Sequence, residues 1–248
     1  MSLAIAVYVP EGIVMASDSR QSITIEGKHP DGGLFKVETV NSDAVTKTFL
    51  LEQQRVGVSN FGDDLLQGVP ISSYIQSFIE EEIVVADDIT TIPKKLVKYF
   101  KKSFPEADAG FHIAGYKKEG KISIQHVYYC HVARDEVVRR NTKQDGSLIY
   151  GATWSGQIDI IASIINPVVI KDDKGKEKLI RPSTPIIWGA MTVQDAIDFA
   201  VYAIRTTIDT MRFQARPKNV GGNIDVLLLA PNKEPKWISK KELRLASE

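Results

Sequence analysis

Apolar segments of two periodicities follow one another along this chain in a fixed order: strand pairs, two helices, strand pairs, two helices, then terminal strands. The run from Leu3 to Val9 is rich in β-branched residues, turns at Pro10, Glu11 and Gly12, and resumes from Ile13 to Ala16, a hairpin signal. A polar stretch from Gln21 to Asp43 breaks the pattern before a second hairpin, Thr46 to Leu51 and Arg55 to Ser59, around Gln53 and Gln54. Spacings of three and four then take over. Leu65, Leu66 and Val69 lead to Ile71, Tyr74, Ile75, Phe78 and Ile79 on one helical face, with Pro70 at a start or kink, and a second helix runs past Pro93 to Phe104. Strands return at 110–116 and 122–129 around a turn at 117–120, followed by helical spacing at Ile158, Ile161, Ala162 and Ile165. A longer helix extends from Thr192 to about Phe213, where Thr192 and Asp195 form a capping pair. The charged run 171–178 reads as a solvated insertion, and Gly221 to Leu229 reads as a closing core strand. Two sheets that face each other and carry helices on their outer faces bury every apolar face in this order. The expected fold class is therefore α+β, a four-layer αββα sandwich built as one domain over residues 1–248.

Composition narrows the function classes. Lys+Arg and Asp+Glu both number 31, so no bulk basic excess draws the chain to nucleic acid or an acidic membrane surface. The single cysteine, Cys130, forms no internal disulfide, and with four scattered histidines it gives no zinc spacing, so no metal and no cofactor is expected. No apolar stretch reaches the ~18 residues of a membrane span, and no leader pattern opens the chain, so a cytoplasmic protein is expected. His126, Tyr128 and Cys130 alternate onto one strand face and His112 reads as a strand residue satisfied locally; packing is the expected role of these groups.

Two features carry chemistry. By itself Ser2 is only a small residue after Met, and Asp18-Ser19-Arg20 at the end of a buried strand is a place where an acid and a base pair, structurally or functionally. Together they form a pattern. The segment from Ser2 through Ile13, Val14 and Met15 to Asp18 and Arg20 resembles the opening of proteasome β-type subunits and their bacterial relatives, the threonine-type N-terminal nucleophile (Ntn) hydrolases. There a Thr or Ser begins the mature chain and an Ala-Asp-x-Arg-like segment ends the second strand. The run Lys47 to Leu51 is similar to that family's lysine segment, and Val58 to Gly62 is similar to its Gly-x-x-Ala-Gly segment. The long helix followed by Gly221 and Gly222 resembles its last helix and Gly-Gly strand. The chain departs from the family at Gly151 to Gly156, where a Gly-Ser-Gly carries a supporting hydroxyl, and at Arg216 to Gly222.

The resemblance implies roles residue by residue: Ser2 as nucleophile, Asp18 and Lys47 as its catalytic partners, Gly62 as the oxyanion-binding amide, Ser22 as a holder of the substrate backbone, and Asn60 as floor of the specificity pocket. These types suit the chemistry. A hydroxyl is a weak nucleophile without a base, and an N-terminal residue brings one in its α-amine, which titrates near about 7.7 to 8.0. Lys47 beside the hydroxyl favours the alkoxide, Asp18 holds Lys47, and a backbone N–H at Gly62 stabilises the tetrahedral oxyanion by roughly 3 to 4 kcal/mol. With no propeptide before Ser2, removal of Met1 is expected to expose the amine. The expected function is hydrolysis of a peptide or amide bond within a homo-oligomeric, proteasome-like ring. A noncatalytic structural or gating subunit and an amidase for a small non-peptide amide stand as alternatives.

Overall fold

The computed structural model describes residues 2–171, 173, 175–181 and 184–242. Its first four strands are β1 (Leu3–Val9), β2 (Gly12–Ser17), β3 (Gln21–Lys28) and β4 (Leu34–Ser42), followed by β5 (Thr48–Leu51), β6 (Val56–Gly62), β7 (Leu65–Leu66) and β8 (Val69–Pro70). Helices α1 (Ile71–Glu81) and α2 (Ile92–Ser103) precede β9 (Ala109–Glu119), β10 (Ile122–His131), β11 (Glu136–Arg139) and β12 (Gly151–Gly156). Next come α3 (Asp159–Ile165), β13 (Val168–Lys171), β14 (Glu177–Arg181), α4 (Val193–Phe213), β15 (Asp225–Leu229) and β16 (Lys236–Ser239). One antiparallel sheet has the order β12-β1-β2-β15-β16 and a second has β11-β10-β9-β6-β5.

Period-two alternation explains why β1 and β2 are apolar at nearly every position. Leu3, Ile5, Val7 and Val9 point to one side with Val14 and Ala16, where they pack on Ile160 and Ile161 of α3 and on Ala196, Ala200 and Ile204 of α4. Ala6, Tyr8, Ile13 and Met15 point to the other side, against Ala114 and Val127 of the second sheet. The far face of that sheet carries Val58, Phe111 and Ile113, which pack on Ile75, Phe78, Leu96 and Phe100 of α1 and α2. Three apolar clusters thus lie in sequence: helices on sheet, sheet on sheet, sheet on helices. Among the described residues no helix is long and apolar enough to cross a membrane.

Local signals survive where they are strong. The Thr192 side chain accepts from Asp195 N while the Asp195 carboxylate accepts from Thr192 N, so the capping box that starts α4 is formed. The helix read from Leu65 onward begins only at Ile71: Gln67 and Gly68 have positive φ, and they fold 65–70 into the small β7–β8 turn with Pro70 as the helix N-cap. The polar stretch 21–43 is a hairpin, β3 paired with β4 from Gln21↔Ser42 to Lys28↔Leu34. The charged run 171–178 lies within the β13–β14 pair, with Asp172 and Lys174 outside the described residues.

His112 of β9 faces the inter-sheet side and departs from expectation. It is fully buried against Phe61 and Tyr129, and neither ring nitrogen has a hydrogen-bond partner. Burial holds its pKa down at about 3, from an ordinary 6.5. The unfolded chain therefore takes up this proton first as pH falls, and stability drops across that window by on the order of 1.4 kcal/mol per pH unit. Urea midpoints followed from about pH 7 to about pH 4 should slope less in His112→Leu than in wild type. Part of the residual slope belongs to His126, lowered to about 4 mainly by burial, and toward about pH 4 part belongs to carboxyls held low by their partners, such as Asp43 bonded to Arg20; equal slopes in both proteins would show that His112 is not held neutral.

Candidate active site

The antiparallel pairing of β1 with β2, Ala4↔Ser17, sets the residues just before Leu3 beside those just after Ser17. Leu3 N donates to Asp18 Oδ1 at 2.9 Å, and Asp18 N donates back to Leu3 O at 3.3 Å. The other carboxylate oxygen, Oδ2, accepts from Arg20 N at 3.1 Å and from Gly221 N at 3.0 Å. The loop after α4 thereby reaches the first strand pair. Lys47, immediately before β5, is anchored by Asn60 N donating to Lys47 O at 2.9 Å. Its Nζ donates to Asp18 Oδ1 at 3.1 Å and to the carbonyl oxygen of Arg20. The side chains of Asp18 and Lys47 are completely buried, so the pair is an ion pair desolvated on both sides. Arg20 does not close on Asp18 with its guanidinium. It makes two bonds to Asp43, at 2.6 and 2.7 Å, and a third to Lys218 O.

Ser2 is buried beside this pair, and its hydroxyl donates to Asp64 Oδ1 at 3.2 Å. Asp64 Oδ2 lies 3.9 Å from Lys47 Nζ, and Asn60 Nδ2 donates to Asp64 Oδ1 at 3.4 Å. Burial pushes the Asp64 carboxyl above the usual carboxylate range, and Lys47 works against that rise. A chain of buried hydroxyls runs next to the cluster, Ser17 Oγ to Thr48 Oγ1 at 2.8 Å and Thr48 Oγ1 to Ser59 Oγ at 2.9 Å, and ties the first sheet to the second.

The structure therefore brings Ser2, Asp18, Lys47 and Asn60 into one buried cluster. Gly62 and Ser22 stand outside it, on a groove of about 370 Å³ bounded by Ser22, Thr24 and Glu38 of the β3–β4 hairpin and by Gly62, Asp64 and Asp108 opposite. The Ser22 hydroxyl is buried without a hydrogen-bond partner. Gly62 also borders a second groove, with Trp154, Ser155 and Gly156 of β12. The stretch 151–156 is a strand on the free side of β1, with Gly156 opposite Leu3 and Ser155 opposite Ala4. Met1 lies outside the described residues.

Asp64 is the residue that sequence reasoning missed. Its signal was its place two residues beyond the Val58 to Gly62 segment, but adjacent acids in a loop ordinarily read as solvated.

No protein-family model matches the chain, and no curated protein matches it. Solved structures do. Anbu from Hyphomicrobium sp. strain MC1 is 14% identical with a TM-score of 0.56, covering 97% of this chain and 88% of that one. A Gly-1 mutant of Anbu from the same organism is 13% identical at a TM-score of 0.56, covering 96% and 88%. Anbu from Yersinia bercovieri, described as an ancestral beta-subunit, is 13% identical at a TM-score of 0.51, covering 96% and 87%. At such identities the likeness is one of fold. The chain has the fold of these Anbu proteins, and the proteasome-like resemblance read from its sequence is borne out at that level.

Proposed function

We propose that this chain is an N-terminal nucleophile hydrolase that cleaves a peptide or amide bond with the Ser2 hydroxyl. The observation that carries the reading is the buried cluster in which Lys47 is bonded to Asp18 and lies 3.9 Å from the carboxylate that accepts the Ser2 hydroxyl. The ammonium favours an alkoxide at Ser2, Asp18 fixes the ammonium, and Met1 removal frees an α-amine to act as base. The Gly62 amide, at the rim of both grooves, serves the oxyanion, and Ser22 holds the substrate backbone across the groove. Asn60 floors the pocket from beneath Asp64.

The order of the three apolar clusters supports a four-layer αββα sandwich, and their continuity supports one domain over 1–248. The ancestral beta-subunit described among its structural neighbours favours a homo-oligomeric, ring-like assembly, and the single cysteine favours the cytoplasm. A second reading, a noncatalytic structural or gating subunit, is favoured by the complete burial of Ser2. A small fluorophosphonate or β-lactone separates the two. Wild type is expected to gain one adduct, located at Ser2 by peptide mass spectrometry, and Ser2→Ala to gain none. An unlabelled wild type, or equal labelling of both, leaves the noncatalytic reading standing. A peptide library run beside a panel of small amides then distinguishes a peptidase from an amidase.

A further inference from the structure

Two carboxylates flank Lys47, and they are bonded in opposite ways. Asp18 is saturated: Leu3 N and Lys47 Nζ bond its Oδ1, and Arg20 N and Gly221 N bond its Oδ2. An ionised carboxylate has about four acceptor positions, so four donors fix both its charge and its place. It has nothing left to offer a hydroxyl.

Asp64 is the reverse. Its Oδ1 is the acceptor of the Ser2 hydroxyl, joined only by the longer contact from Asn60, and its buried Oδ2 makes no hydrogen bond. The side chain is almost wholly buried at the groove, with Lys47 opposite at 3.9 Å. The 3.2 Å separation from Ser2 Oγ is long for a hydroxyl–carboxylate bond but within the range of unliganded catalytic pairs, which tighten when substrate enters.

We propose that Asp64 is a further catalytic residue, the carboxylate that takes the Ser2 proton when the hydroxyl oxygen attacks the substrate carbonyl. This rests on the reading of Ser2 as nucleophile. The Ser2 Oγ–C bond forms as the carbonyl π pair moves onto oxygen, and the hydroxyl proton passes to Asp64 Oδ1. As the C–N bond breaks, Asp64 gives that proton to the leaving nitrogen and is again a carboxylate. Water then attacks the ester and transfers a proton to Asp64; Asp64 returns it to Ser2 Oγ as the acid product departs. Every proton is accounted for by the amide, water and these two side chains. The raised affinity of a buried carboxylate for a proton suits it to the task, and Lys47 stabilises the charge that builds on Ser2. The consequence separates this chain from a strict N-terminal mechanism: the hydroxyl has a proton acceptor that does not require a free α-amine.

The test uses the full chain in two forms, Met1 removed and Met1 retained, the latter produced with methionine aminopeptidase inhibited. Each is labelled with a small fluorophosphonate and the rate of adduct formation at Ser2 is followed by mass spectrometry. The Met1-retaining wild type is expected to label, and Asp64→Asn to slow it by about 10² to 10⁴. In the Met1-free form the amine shares the work, and the same substitution costs less. The lower limb of the pH–rate profile, set by a carboxyl facing Lys47 and Asp18, should vanish in Asp64→Asn and return in Asp64→Glu. Labelling confined to the Met1-free form, or an Asp64→Asn rate equal to wild type, overturns the role of Asp64 and leaves Ser2 as nucleophile. No adduct on Ser2 in either wild-type form removes both. Should Asp64→Asn fail to fold, the pH profile of the Met1-retaining wild type decides, and a flat profile through the carboxyl range overturns the proposal.

Discussion

Lys47→Met is expected to abolish labelling of Ser2 and to cost about 3–5 kcal/mol of stability at neutral pH. Methionine nearly matches the stem of lysine in length, so the change removes a charge and three donors from an enclosed site and leaves little cavity. What remains is the difficulty. Asp18 keeps its three backbone donors, from Leu3, Arg20 and Gly221, but both it and Asp64 lose the only side-chain cation within 4 Å of them among the described residues. An uncompensated buried carboxylate either stays charged at a large desolvation cost or takes up a proton. The cost should therefore shrink as pH falls and the Asp64 carboxyl is neutralised. Burial already holds that carboxyl above the ordinary range. Urea midpoints of wild type and Lys47→Met at about pH 7 and about pH 4.5 measure this, and a difference that does not narrow would show that the ion pair is not the source of the cost. Lys47→Arg keeps the charge but presents a planar fork larger than the ammonium in a fully buried space, so it is not expected to restore labelling. If Lys47→Met labels at the wild-type rate, Lys47 has no place in the mechanism.

How much of this was legible in the sequence depends on whether the deciding contacts are local. The capping box of α4 spans four residues and is written in Thr192 and Asp195. The β1–β2 pair is written in two apolar runs around a tight turn, because strands covered on both faces have no polar positions to blur them. The β3–β4 hairpin was not legible. Thr24, Glu26, Lys36 and Glu38 lie on one face and Ile25 and Val37 on the other, and both faces meet solvent at mid-strand, so composition there imitates a loop. Nor was β12, whose Ala152, Thr153, Trp154 and Ser155 follow no simple alternation and become a strand only by pairing with β1. The site divides in the same way. Ser2, Asp18 and Lys47 sit at spacings that resemble a known pattern, whereas Asp64 joins them through a contact between residues far apart in the chain, and no window of sequence displays it.

Gly156→Ala tests the contact that holds Ser2 from the opposite side, and it is expected to lower Ser2 labelling by about 10²-fold. Gly156 ends β12 with φ of +97°, a conformation that costs a residue with a Cβ roughly 1–2 kcal/mol. Position aggravates the strain: a Cβ here would lie 1.8 Å from the carbonyl oxygen of Ser2, which already accepts from Gln157 N at 2.8 Å. Two backbones cannot share that space, so β1 and β12 must part at this end, and the residue displaced is the one that bears the hydroxyl. A shift of about 1 Å at a reacting atom is enough for the expected loss of rate. Stability should fall by ~2 kcal/mol, a drop in Tm of roughly 4–8 °C in a chain of this size that leaves it folded, because the rest of the β1–β12 pairing, Ala4↔Ser155 to Tyr8↔Gly151, is untouched. The informative result is labelling measured in protein that remains folded. A loss of stability with labelling unchanged would make Gly156 a strand end and nothing more. Loss of labelling in a folded protein would mean that the work of Gly156 is to let the backbone of β12 close on the carbonyl of Ser2.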